Sequence, residues 1–230
     1  MSAFAFQDVV PDAGQPQILV WMGMLAGISL VPFLLALITS FAKLVIVGGL
    51  LRQALGLQQV PPTTVLTGLA MIMTFHVMAP VVDRALTAAT TTEGRIDYEQ
   101  LLPVATAAIS GFLELNTDGD ERQLIAELTV RQGRAEPTAE SLQQAIVRLL
   151  TVQAPAFLLT ELAEAFLIGF ILFVPFVVID LVIANVLLAM GMSMLTPTTI
   201  SVPVKLMVFV FADGWRLLFE QLLSGYRLPA

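Results

Sequence analysis

AFLIGFILFVPFVVIDLVIANVLLAMGMSML, residues 165–195, decides the fold: thirty-one residues hold one charge, Asp180, and one carboxamide, Asn185. About 20 apolar residues in a helix cross the roughly 30 Å hydrocarbon core of a bilayer, so this run is longer than one straight span needs. Pro175, near its middle, removes a backbone donor and crowds the preceding turn. Either one kinked helix or a re-entrant pair fits such a run.

Outward from it lie three further apolar runs. Residues 18–39 are uncharged, with Pro32 inside; residues 63–82 are uncharged; residues 200–218 carry Lys205 and Asp213, with Arg216 near the end. Between the first two, Lys43 and Arg52 bracket a short apolar stretch, and Gly56 with Pro61-Pro62 marks a helix end and a turn. The expected fold class is all-α: an integral membrane helical protein of long kinked helices or hairpins, with a small helical domain between its second and third apolar segments. The expected divisions are a tail at 1–17, a first hairpin region at 18–82, an acidic helical domain at 83–156 and a second hairpin region at 157–230.

Composition agrees. Hydrophobic residues make up 57% of the 230 and charged residues 13%, against about 25% charged in soluble domains. Mean hydropathy is +0.86. Thirteen acidic residues and six arginines lie between Asp83 and Glu164, which accounts for the whole net charge of −7. That segment is built for water and the remainder is not. A pI near 4.6 speaks against a nucleic-acid partner. No cysteine occurs, which excludes disulfides, thiol catalysis and thiolate metal sites. No Lys or Arg precedes Lys43, so no positive n-region of a cleavable signal peptide is visible.

Basic residues near membrane segments favour the cytoplasm. Lys43 and Arg52 lie between the first two runs and Lys205 between the last two. Both short connections are therefore expected inside, with the acidic domain and both termini facing the periplasm.

Several motifs then combine: TSFAKLVIV (39–47), LLRQALGLQQVPP (50–62), FLIGF (166–170), PFVVIDL (175–181), MGMSMLTP (190–197), ISVPVKL (200–206) and DGW (213–215). In this order they resemble the export-gate subunit of type III secretion systems, the FliP / SctR (YscR) family. The similarity spans roughly residues 30–82 and 155–222. The family often has consecutive methionines where this chain has Met192-Ser193-Met194. RQAL (52–55) and PTTIS (197–201) lean towards the flagellar branch, and the injectisome branch stays open.

The resemblance implies a non-enzymatic core channel subunit of the bacterial inner membrane, within the secretion-system basal body, that passes unfolded export substrates. It implies a homo-oligomer, pentamer-like in the family, with FliQ/SctS and FliR/SctT type subunits, alongside FlhB/SctU and FlhA/SctV type proteins. Much of the apolar surface then packs against neighbouring subunits rather than membrane lipid. Met190, Met192 and Met194 would form the pore gasket or constriction, since flexible thioethers re-pack around a moving chain; core filling is the plainer reading of such residues. The alternative function is a proton-coupled small-solute transporter using Asp180, Glu161 and Glu164, which would need internal repeats that the two halves do not show.

Asp180, in an apolar run, is costly unless it faces a partner or a water path; Lys205 and Arg52 are the partners considered, with helix capping and proton relay as other roles. Lys43 and Arg52 read as topology determinants or as part of the charge pairing and assembly. Glu161 and Glu164 share one helix face, at the water boundary or lining a pore entrance. His76 reads as a hydrogen-bonded buried ring. Asn116-Thr-Asp118-Gly-Asp120-Glu121 lacks the glycine position and closing carboxylate of a calcium loop and reads as a turn. Gly48-Gly49 and the Gly23/Gly27 pair read as points of close helix approach. No H-E-x-x-H, P-loop or G-x-S-x-G motif occurs, and no metal or cofactor is expected.

Overall fold

The computed structural model describes residues 15–90, 95–133, 141–192 and 194–228. Residues 1–14 of the expected tail lie outside them. The described chain is helical: α1 (Gln15–Leu37), α2 (Phe41–Ala54), α3 (Thr63–Ala88), α4 (Tyr98–Leu115), α5 (Gly119–Arg131), α6 (Leu142–Arg148), a π-helical turn (Leu149–Gln153), α7 (Ala154–Ala189), α8 (Pro197–Phe211) and α9 (Gly214–Ser224).

The described residues divide into two units, one up to Ala36 and the other from Leu37 onward. In the first, the side chains of residues 20–30 on α1 are all exposed. Ser29 returns its hydroxyl to the Ala26 carbonyl, so this stretch presents no polar stripe. A helix apolar on every side is one that lipid or other chains surround.

The second unit is organised around α2, which packs on α7 and α3. Leu44, Val47, Leu51 and Ala54 recur at helical spacing and are buried. They meet Ala165 and Phe176 of α7, Ala70 of α3, Phe209 of α8 and Leu222 of α9. A second core joins Val77, Met78 and Val81 of α3 to Phe112 and Leu113 of α4, Leu149 of the π-helical turn, Phe157 of α7 and Tyr226 beyond α9.

Residues 165–189 of the run that decides the fold lie in one continuous helix. Residues 142–189 are helical without a break, passing through Pro175. The π-helical turn widens this rod and brings Gln153 to α4, where the Ser110 hydroxyl donates to its Oε1 and its Nε2 donates to Glu114. Only 11% of the rod's apolar window is buried by the chain itself, and 28% of that in α3. The remaining apolar surface needs lipid or other subunits to cover it.

The water-facing helices are capped by the residue types their sequence supplies. Asp97 accepts from the Glu99 and Gln100 amides, Asp118 from Asp120, and Ser141 from Gln144. Asn116 to Glu121 is a tight corner from α4 into α5. α3 continues past residue 82 to Ala88, so the polar segment begins within that helix.

Two expectations are corrected. His76 is exposed on α3, because the buried face of that helix is set by Ala70, Val77, Met78 and Val81. Within residues 37–230, close helix approach occurs at Gly169 rather than at Gly48-Gly49. A Cβ on Gly48 would meet Leu66 at an ordinary 3.8 Å, and one on Gly49 would have no neighbour within 4 Å. A Cβ on Gly169 would stand 2.3 Å from Leu50 Cδ1, so the missing side chain lets α2 lie against α7. At the α8–α9 corner Asp213 adopts a left-handed conformation. A Cβ on Gly214 would stand 2.2 Å from the Phe209 ring, which Trp215 meets edge-on.

Gly169→Val should therefore overpack the α2–α7 seam and cost about 1–3 kcal/mol, measured by thermal unfolding in detergent. Adding Leu50→Ala should recover part of the loss, while Leu50→Ala alone destabilises.

Candidate functional site

Lys43 and Lys205 are the chain's two lysines, and each is only 4% exposed. A buried ammonium is tolerable only when carboxylates and hydrogen-bond acceptors surround it. Each lysine sits at one end of α2 and ties it to a neighbouring helix.

Lys43 lies in the first turn of α2. Its Nζ is 2.9 Å from Glu161 Oε1 and 2.6 Å from Glu164 Oε2, both on α7. It also sits 4.3 Å from the centre of the Tyr226 ring, a cation–π contact. The Tyr226 hydroxyl donates to the other Glu161 oxygen, so both Glu161 oxygens are engaged. Burial, then the adjacent Glu161 carboxylate, pushes the Tyr226 phenol well above its ordinary range, and it remains a donor. Glu161 and Glu164 were expected together at a water boundary or pore entrance. Glu161 is instead 1% exposed inside the bundle, because Lys43 and Tyr226 close over it; Glu164 keeps half of its side chain in the open.

Lys205, on α8, donates to Asp180 Oδ2 of α7 at 2.6 Å and to the Ala54 carbonyl at 3.1 Å. Ala54 is the last residue of α2, so the ammonium caps a helix end where a cation is favoured. Asp180 Oδ1 is buried without a hydrogen-bond partner among the described residues. Arg52 does not reach Asp180. Its guanidinium donates to the Pro61 carbonyl and the Thr63 hydroxyl, bracing the turn from α2 to α3.

Met190, Met192 and Met194 stand at the tip of the α7–α8 hairpin. The Gly191 amide bonds the Leu188 carbonyl and the Met192 amide bonds Leu187, with Gly191 at φ +73°. This is a Schellman motif, which closes α7 sharply. Thr196 and Pro197 open α8 on the other side. Met190 and Met192 are exposed and Met194 is 99% exposed, so the chain's own interior shelters none of the three. Among the described residues no three His, Cys or carboxylate groups gather as a metal site.

Tyr226 went unread in the sequence. A single tyrosine after the last apolar run carries no periodic signal, and its role comes from partners on α2 and α7. Gly169 was visible within FLIGF, but its purpose rests on the position of Leu50.

Long apolar helices with uncovered outer faces, pinned by buried ion pairs and ending in an exposed methionine tip, define a helical integral membrane protein built to work in an assembly. Comparison with known proteins places it more closely. The FliP family model matches residues 24–222. The chain is 44% identical over 208 residues to the hypersensitivity response secretion protein HrcR of Ralstonia nicotianae, covering 89% of this chain and 95% of that protein. It is 41% identical over 213 residues to the flagellar biosynthetic protein FliP of Caulobacter vibrioides, covering 91% and 76% respectively. To the harpin secretion protein HrpW of Pseudomonas syringae pv. syringae it is 38% identical over 206 residues, covering 88% and 97%. The chain belongs to the FliP family, the subunits of the type III secretion export apparatus.

Lys43→Met should strand Glu161 without its cation and cost roughly 3–5 kcal/mol. The double variant Lys43→Met/Glu161→Gln should be less destabilised than the single one in denaturant or thermal unfolding of the purified protein.

Proposed function

We propose that this subunit forms part of the wall and the constriction of a protein-conducting channel in the bacterial inner membrane. Several copies, with two further kinds of small subunit, would enclose a path for unfolded export substrates. The observation that carries the reading is the hairpin tip, where three thioethers project from the chain on a backbone held by the Gly191 motif and Pro197. Exposed methionines are soft and unbranched, so neighbouring copies can close them on one another and re-pack them around a passing chain of any sequence. The uncovered apolar faces of α3 and α7 are the surfaces that lipid and neighbouring subunits would share.

The buried ion pairs then serve assembly. Lys205, Asp180 and the end of α2 hold the α7–α8 hairpin in place, while Lys43 and Glu161 hold α7 against α2. The reading assigns the chain no catalysis, and the solute-transporter alternative gains no support from the relatives. The acidic segment faces the periplasm in this proposal. Insertion responds to the unfolded chain, so the later burial of Lys43 and Lys205 does not remove them from the charge bias.

Replacing Met190, Met192 and Met194 together with Ala should raise ion leakage through the closed, assembled complex in liposomes; unchanged leakage with normal assembly rejects the gasket. The orientation is tested in the cysteine-free background with Gln132→Cys, on the exposed end of α5. A membrane-impermeant maleimide added from the periplasmic side should label it, and labelling only from the cytoplasmic side reverses the topology.

A further inference from the structure

After α9 the chain stops being helical, and residues 226–228 lie against the corner between α4 and α5. The Asn116 carboxamide holds this segment at both backbone groups of one residue. Its Nδ2 donates to the Arg227 carbonyl at 2.8 Å, and the Arg227 amide donates to its Oδ1, also at 2.8 Å. This grip reads only backbone. The neighbouring Tyr226 supplies the specific contact: its ring stacks on Phe112 at 6.0 Å between centroids, its hydroxyl reaches Glu161, and its face covers Lys43. Beside this segment opens a polar cavity of about 310 Å³ lined by Lys43, Asn116, Asp118, Glu164 and Arg227, among others. The segment therefore forms one wall of the cavity that leads to the ion pair joining α2 to α7.

We infer that residues 226–228 act as a releasable strap over the Lys43–Glu161 centre, with Asn116 as its latch. The latch itself is two backbone bonds at the exposed rim, and the Tyr226 ring is the one part of the segment set in the core. Segments held in this way open before the helices beneath them. Release exposes Lys43 through the polar cavity and lifts the Tyr226 ring off Phe112, while the α3, α4 and α7 members of the second core stay packed on one another. Lys205 lies in the other half of the bundle, tied to Asp180 and the end of α2, and strap opening leaves it untouched.

The two lysines make this testable by amine footprinting of the full chain in its assembled complex. A water-soluble acetylating reagent is applied, and Lys43 and Lys205 are read on separate peptides by mass spectrometry. Asn116→Ala removes both latch bonds and should speed Lys43 modification roughly tenfold or more, with Lys205 unchanged. Tyr226→Phe, which keeps the ring and loses the hydroxyl, should give a smaller rise at Lys43 alone. An unchanged Lys43 rate in Asn116→Ala shows that the segment is not the cover and overturns the proposal. Equal acceleration of both lysines shows general loosening and overturns it too. If Asn116→Ala fails to assemble, hydrogen exchange of the native complex decides: the Arg227 amide should exchange before the amides of α9. Simultaneous exchange of the two rejects a strap that opens by itself.

Discussion

An ammonium group withdrawn from water must be answered by negative charge, and in this protein that requirement sets the place of α2. Lys43 engages α7 at one end of the helix and Lys205 reaches its last carbonyl at the other. Between them Gly169 removes the side chain that would hold the two helices apart. Because Lys43 pairs with Glu161 and Leu50 lies against Gly169, α2 and α7 run in the same direction. The two cores then form on either side of this seam, one towards α8 and α9, the other towards α3 and α4. Ion pairs of this kind add little net stability over an apolar replacement, but breaking one partner is expensive, so they select a single arrangement.

The helical membrane class was legible from uncharged runs alone, since their lengths match what a bilayer demands. The same runs did not decide between one rod and a re-entrant pair through residues 165–195. A proline in an apolar helix either bends it or turns it back, and what decides is the packing of α7 on α2 and α8, which lies outside the run. The spacing of Glu161 and Glu164 placed both on one face, yet the fold separates their fates. The partner that buries Glu161 stands 118 positions earlier, and the ring that covers it comes 65 positions later. Helix period carries no trace of either. The glycine readings failed for the same reason: a Gly-Gly pair signals that approach is possible, and only the facing side chain shows whether it happens.

Much of the remaining surface is unfinished in a single copy. α1 carries exposed apolar side chains along residues 20–30, and α3 and α7 leave most of their apolar windows uncovered. The polar segment has caps on α4, α5 and α6 and hydrogen bonds joining it to the long helix, though Leu102, Leu124 and Val130 are exposed there as well. Stability and assembly are thus divided between parts of the chain. The acidic helices and ion pairs hold one subunit's shape, and the greasy faces wait for company.

The unbroken helix of residues 142–189 has a mechanical consequence. Forty-eight residues at helical rise make a rod roughly 70 Å long, more than twice the thickness of the oily layer of a membrane. Both ends cannot lie within that layer unless the rod lies nearly flat. Its polar foot, with Gln143, Gln144 and Arg148, and its methionine-bearing head therefore belong to different depths, and a stiff beam between them turns a small tilt at the foot into a wider swing at the head.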